Sequence, residues 1–104
     1  MRFYTYSIMV FDANGKEVAL TRELKTSFLS GLKAVGRIPA SPLVHNRLFT
    51  FSGATLPEWK NWEKNMMDFS KMFPDYLFTI EISTVISKDS ITMHFRNGQA
   101  IHRL

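Results

Sequence analysis

Cysteine is absent from the chain. That excludes disulfides, thiolate nucleophiles and cysteine-based zinc sites. Small secreted domains commonly rely on disulfides, so the absence points toward a cytoplasmic setting. Glycine is scarce, at five residues, and no two of them stand in a G-x-G spacing, so a phosphate-cradling loop of that type is excluded. The chain also lacks a G-x-S-x-G elbow, a D-x-D pair, an H-E-x-x-H helix motif and EF-hand spacing. No apolar run approaches the roughly 20 residues of a membrane-spanning helix, so no membrane association is expected. The N-terminal stretch is apolar but broken by Thr5 and Ser7, and it has no small-residue cleavage site. It reads as a strand, not as a leader peptide.

What remains suits one domain. A length of 104 residues with 45% hydrophobic content is enough for a real core, and 21% charged residues without a long polar tract argues against disorder. The net charge of +4 permits an anionic partner without requiring one.

Two Asn-Gly pairs punctuate the chain. Asn14-Gly15 predicts a two-residue type I′ hairpin, which pairs Phe11 with Val18 and Met9 with Leu20 and assigns those four to the core. Tyr4, Tyr6, Ile8 and Val10 then fall on the opposite face. Asn97-Gly98 predicts a second such turn, pairing Phe95 with Ala100. A tight turn at Lys88-Asp89 would place Ile82 opposite Phe95 and Glu81 opposite Arg96. Residues 76–104 thus read as a three-stranded meander, with Ile80, Ile82, Ile91, Met93 and Phe95 on its apolar face.

Two helices fit between the hairpins. The first spans Arg22 to Val35, with Leu24, Phe28, Leu32 and Val35 on one side, a basic set on the other, and Gly36 as its stop. The second is announced by Thr55-Leu56-Pro57-Glu58, a capping-box pattern with an early proline. Trp59, Trp62, Met66, Phe69 and Phe73 follow at helical spacing, and Pro74 ends the run. This spacing favours a core stripe over exposed stacking platforms for the tryptophans. Met67 and Met72 lie off the stripe. Between the helices, Leu43 to Ser52 reads as a strand. The expected class is α+β, in the order β-β-α-β-α-β-β-β, with a mainly antiparallel sheet and both helices packed on one face. A helix on each face is the alternative.

No constellation for catalysis or for a metal or cofactor emerges. The histidines are His45, His94 and His102. The predicted register puts His94 and His102 on opposite sides of the terminal hairpin, against the convergence that acid–base or metal chemistry needs. Contact surfaces are the stronger candidates. Tyr4 and Tyr6 belong to an apolar strand face that a partner or a second copy of the chain would have to cover. Lys25, Lys33 and Arg37 surround Leu29 on the basic side of the first helix. They suit either phosphates or an acidic protein surface, although such clusters are commonly just solvated. His94, Arg96 and Arg103 lie on the polar face of the terminal meander.

The run Trp59, Trp62, Met66-Met67-Asp68-Phe69-Ser70, Phe73-Pro74-Asp75 and Phe78, with Phe95-Arg96-Asn97-Gly98 beyond it, resembles small α+β proteins of bacteriophages and plasmids. The resemblance covers residues 57–98. Relatives carry an acidic, glycine-containing stretch between the last strands, where this chain has Glu81-Ile82-Ser83-Thr84-Val85-Ile86-Ser87-Lys88-Asp89. The resemblance implies a ferredoxin-like core, a cytoplasmic setting in a bacterial host, and binding to a host protein or ribonucleoprotein complex. By analogy, it suggests an inhibitor of the anti-CRISPR kind. A basic nucleic-acid-binding accessory protein is the alternative function, a small nuclease a further one. A homodimer is compatible with all three.

Overall fold

A computed structural model describes residues 4–36, 38, 43–51, 59–84 and 90–102. Eight elements follow one another: β1 (Tyr4–Phe11), α1 (Arg22–Val35), β2 (Leu43–Val44), β3 (Leu48–Phe51), α2 (Trp62–Met72), β4 (Leu77–Thr84), β5 (Ser90–Arg96) and β6 (Gln99–Ile101). The strands form one antiparallel sheet in the order β2-β3-β1-β4-β5-β6. Both helices pack on the same face, so the fold is α+β as expected. Two details differ from the expected order. The strand after the first turn shrinks to a single bridge, Phe11 to Glu17. The segment after α1 makes two short strands in place of one.

The first of these differences has a specific cause. Asn14 does not adopt positive φ; only Gly15 does, at 79°. The Asp12 carboxylate accepts hydrogen bonds from the Asn14 and Lys16 N–H groups, each at 2.9 Å, while Gly15 N–H donates to the Asp12 carbonyl. Asp12 thus draws the turn into an Asx-type form with a glycine bulge, in place of the two-residue I′ turn. The register moves by one residue, and a one-residue slip exchanges the faces. Val18 therefore bonds to Val10 and packs on the core beside it. Tyr6, Ile8 and Val10 are buried, whereas Met9 and Phe11 point to the other side and are half-buried. The assignment of the two faces of β1 is corrected accordingly. The hairpin is also short because β4 pairs along all of β1 and β3 holds the other edge from Tyr6 to Met9.

The terminal turn follows expectation. Asn97 and Gly98 both have positive φ, at 48° and 81°, and Phe95 pairs with Ala100. The β4–β5 register does not. Ile82 pairs with Ile91 and Phe78 with Phe95, four residues from the predicted alignment, so Glu81 faces Thr92 and not Arg96. An even slip leaves each residue on its predicted face. The observed alignment sets Phe95 beside Phe78, with the Trp62 ring edge-on to Phe95 at 6.1 Å. Residues 85–89, which carry the predicted Lys88-Asp89 turn, lie outside the described residues.

The core fills the space between the helices and the sheet. Phe28 of α1 is its hub, meeting the rings of Phe49, Phe69, Phe73, Tyr76 and Phe78 at 4.8–6.1 Å, all at steep interplanar angles. Such edge contacts each add about 0.5–1.5 kcal/mol beyond simple burial. Gly31 lets the helices approach closely, since a Cβ there would lie 2.7 Å from Phe73 Cε2. α1 has the predicted bounds and is capped by the Thr21 hydroxyl. Its Gly36 stop is extended and not left-handed; the need for glycine comes from Asn65, whose side-chain amide would lie 2.7 Å from a Cβ. α2 starts only at Trp62, with Asn61 at its N-cap and no side-chain cap bond. The predicted start at Thr55-Leu56-Pro57-Glu58 lies outside the described residues. Trp59 precedes the helix and is buried against Tyr6, while Met66 and Phe69 form the buried stripe as predicted. Met67 is half-buried and Met72 exposed, in keeping with their off-stripe positions.

Candidate docking face

Because both helices lie on one side, the other side of the sheet has no helix against it among the described residues. Strand alternation and the pairing register determine which residues it presents. A central row runs across β1, β4, β5 and β6 through Met9, Thr79, His94 and Ile101. On one side of it lie Ser7, Thr50, Glu81 and Thr92, then Thr5, Ser83 and Ser90. Phe11, Leu77, Arg96 and Gln99 occupy the other side. Glu81 and Arg96 are the only Asp, Glu, Lys or Arg side chains on this face among the described strand residues. The rest is hydroxyl or apolar apart from His94 and Gln99, and Leu43 at the β2 edge is 59% exposed.

The centre of the face is held firmly. Thr79 is only 3% exposed, and its hydroxyl shares a hydrogen bond of 2.8 Å with His94 Nδ1. That bond orients the imidazole across the β4–β5 ladder. The sheet edges are short, two residues in β2 and three in β6. Short edges discourage strand addition, which leaves the face, not the edge, as the broad contact surface.

The sequence-predicted partner residues scatter over the molecule. Tyr6 is in the core, 1% exposed, and its hydroxyl accepts the Trp59 backbone N–H at 2.7 Å. The helix layer and Trp59 cover the strand face that was expected to need a partner. Tyr4 is half-buried on that same side, with its ring 6.0 Å from Tyr6. On α1, Leu29 is half-buried against the core, Lys25 is half-buried and Lys33 is exposed. Exposed Glu23 interrupts the basic set. Arg37 and Arg103 lie outside the described residues. Only His94 and Arg96 fall on the open sheet face. Thr79, Glu81, Ser83 and Thr92 share the polar meander face with them, whereas Thr5, Ser7, Met9 and Phe11 were missed because the reading inverted the faces of β1. The hydroxyl–apolar alternation of Thr5, Tyr6, Ser7 and Ile8 was the available signal.

The three histidines are not brought together. His45 sits between β2 and β3, with Nε2 3.4 Å from the Thr50 hydroxyl. His94 is on β5, three strands from β3 and hence roughly 14 Å from Thr50 at ordinary strand spacing. His102 is exposed just beyond β6. Among the described residues, no group of three His, Asp or Glu side chains is placed to hold a metal ion. Also among them, no helix is long and apolar enough to cross a membrane. Comparison with protein-family models, curated protein sequences and solved structures finds no match to this chain.

Proposed function

We propose that this chain is a non-enzymatic contact protein that docks a host protein complex on its open sheet face and inhibits or modulates it. One observation carries the reading: among the described residues, a six-stranded sheet with both helices on one side presents on the other a broad face whose strand residues include only two Asp, Glu, Lys or Arg side chains. Interface centres are depleted in charge relative to the remaining surface, and this face has that character. The mobile-element setting and the anti-CRISPR-like role rest on the resemblance over residues 57–98 alone. The nucleic-acid alternative would have to use the helix layer, where Arg22, Lys33, Lys60, Lys64 and Lys71 are exposed among Glu23, Glu63 and Asp68.

Site-specific photo-crosslinking in the host separates the two. A crosslinker at exposed Thr92 should trap a protein, and one at exposed Lys64 should not. Thr50→Arg should remove the Thr92 adduct, whereas Lys33→Glu should leave it. Adducts only from Lys64, with nucleic-acid retention falling steeply with salt, would replace this reading by the phosphate-contact one.

A further inference from the structure

We infer that in the free protein a second copy of this chain occupies the open sheet face, in a two-fold symmetric, face-to-face dimer. The inference rests on the proposed use of that face for contact and names its resting occupant. The argument begins with the two charges. Glu81 on β4 and Arg96 on β5 are both exposed, and neither has an ion-pair partner among the described residues. Thr79 pairs with His94, so Glu81 lies two residues to one side of that row. Because the strands are antiparallel, Arg96 lies two residues to the other side.

A 180° rotation about an axis along the Met9–Thr79–His94–Ile101 row exchanges the two sides of the face. It brings Glu81 over Arg96 of the second copy, offset by one strand spacing, about 4.8 Å. The same rotation brings Arg96 over Glu81 of the second copy. A charged residue on each side of the axis therefore meets its opposite twice, which is the self-complementarity that a two-fold interface requires. No other Asp, Glu, Lys or Arg lies on the face among the described strand residues. The strands of the two sheets stay nearly aligned, the usual arrangement for stacked sheets.

The available area agrees with a modest dimer. Five strands at about 4.8 Å and some six to seven residues at about 3.3 Å give a face of roughly 500–600 Å² per copy. Two copies bury on the order of 1,000–1,200 Å², at the lower edge of the range for stable complexes. An interface of this size belongs to the small, weak class, and a micromolar dissociation constant would let a host protein displace the second copy.

Sedimentation equilibrium of the full chain tests this directly. The wild type should shift from monomer to dimer across about 1–500 µM, the span around a micromolar dissociation constant. Glu81→Arg and Arg96→Glu each set like charges across the axis and should weaken the dimer at least tenfold. Mixed in equal amounts, the two variants should form a 1:1 heterodimer, because each supplies the charges the other lacks. The double variant Glu81→Arg/Arg96→Glu should recover self-association. Circular dichroism confirms that each exposed substitution leaves the fold intact. A wild type that stays monomeric throughout, or variants that dimerise like the wild type, overturns the proposal. If the wild type is monomeric while the Thr92 crosslinker still traps a host protein, the dimer falls and the contact function stands.

Discussion

Asn65 is a polar side chain in an otherwise apolar layer, 6% exposed. Its amide orients so that the oxygen accepts Trp59 Nε1–H at 2.9 Å and the nitrogen donates to the Val35 carbonyl at 3.3 Å. One residue of α2 thus satisfies both the last turn of α1 and the indole ahead of α2. Asn65→Ala removes the amide that accepts the indole N–H and donates to the helix-end carbonyl, at a cost of about 1–3 kcal/mol. In a domain near this size each kcal/mol lowers the melting temperature by about 4–8 °C, which a thermal scan reads. Ser70 plays a similar part about one and a half turns further along α2. Its hydroxyl donates to the Met67 carbonyl and accepts Gly98 N–H at 2.9 Å, which pins the terminal turn to α2. Neither role was legible in the sequence. Asn65 and Ser70 look like ordinary helix residues until tertiary packing brings Trp59, Val35 and Gly98 to them.

At the scale of elements, legibility depended on whether local chemistry acted alone. The Asn97-Gly98 hairpin and the bounds of α1 could be read in advance because a turn dipeptide and a capped amphipathic run decide them locally. The Asn14-Gly15 turn could not, because Asp12 competes for its backbone. Asp12→Ala should lower stability by about 0.5–1.5 kcal/mol, while Asp12→Asn, which keeps the accepting oxygen, should be near neutral. Urea unfolding would show the first as a lower midpoint at unchanged slope. The β4–β5 offset had another origin. Any even slip preserves the alternation of apolar residues, so the pattern alone could not distinguish alignments four residues apart. The ring contacts of Phe95 and Phe78 with the helix layer come with one of them.

At the scale of the whole molecule, most of the large apolar side chains converge on the helix side of the sheet. Phe28→Ala removes the hub of that side and should cost about 3–5 kcal/mol. Against a total of about 5–15 kcal/mol for a domain, the variant should lose much of its cooperative transition and its near-ultraviolet dichroism. The opposite side is where a contact function has room, and its β1 residues Thr5, Ser7, Met9 and Phe11 were invisible to a reading that inverted β1. The sequence by itself determined the α+β class, the two helices, the aromatic stripe and the terminal turn. These follow from periodicity and local backbone preference, which act within a few residues. Which face of β1 is buried, which register joins β4 to β5, and that Glu81 and Arg96 stand unpaired among the described residues on the open face were settled only by tertiary packing. Those outcomes depend on which strands claim each edge of β1 and which rings the helices cover, and both are set by residues far apart along the chain.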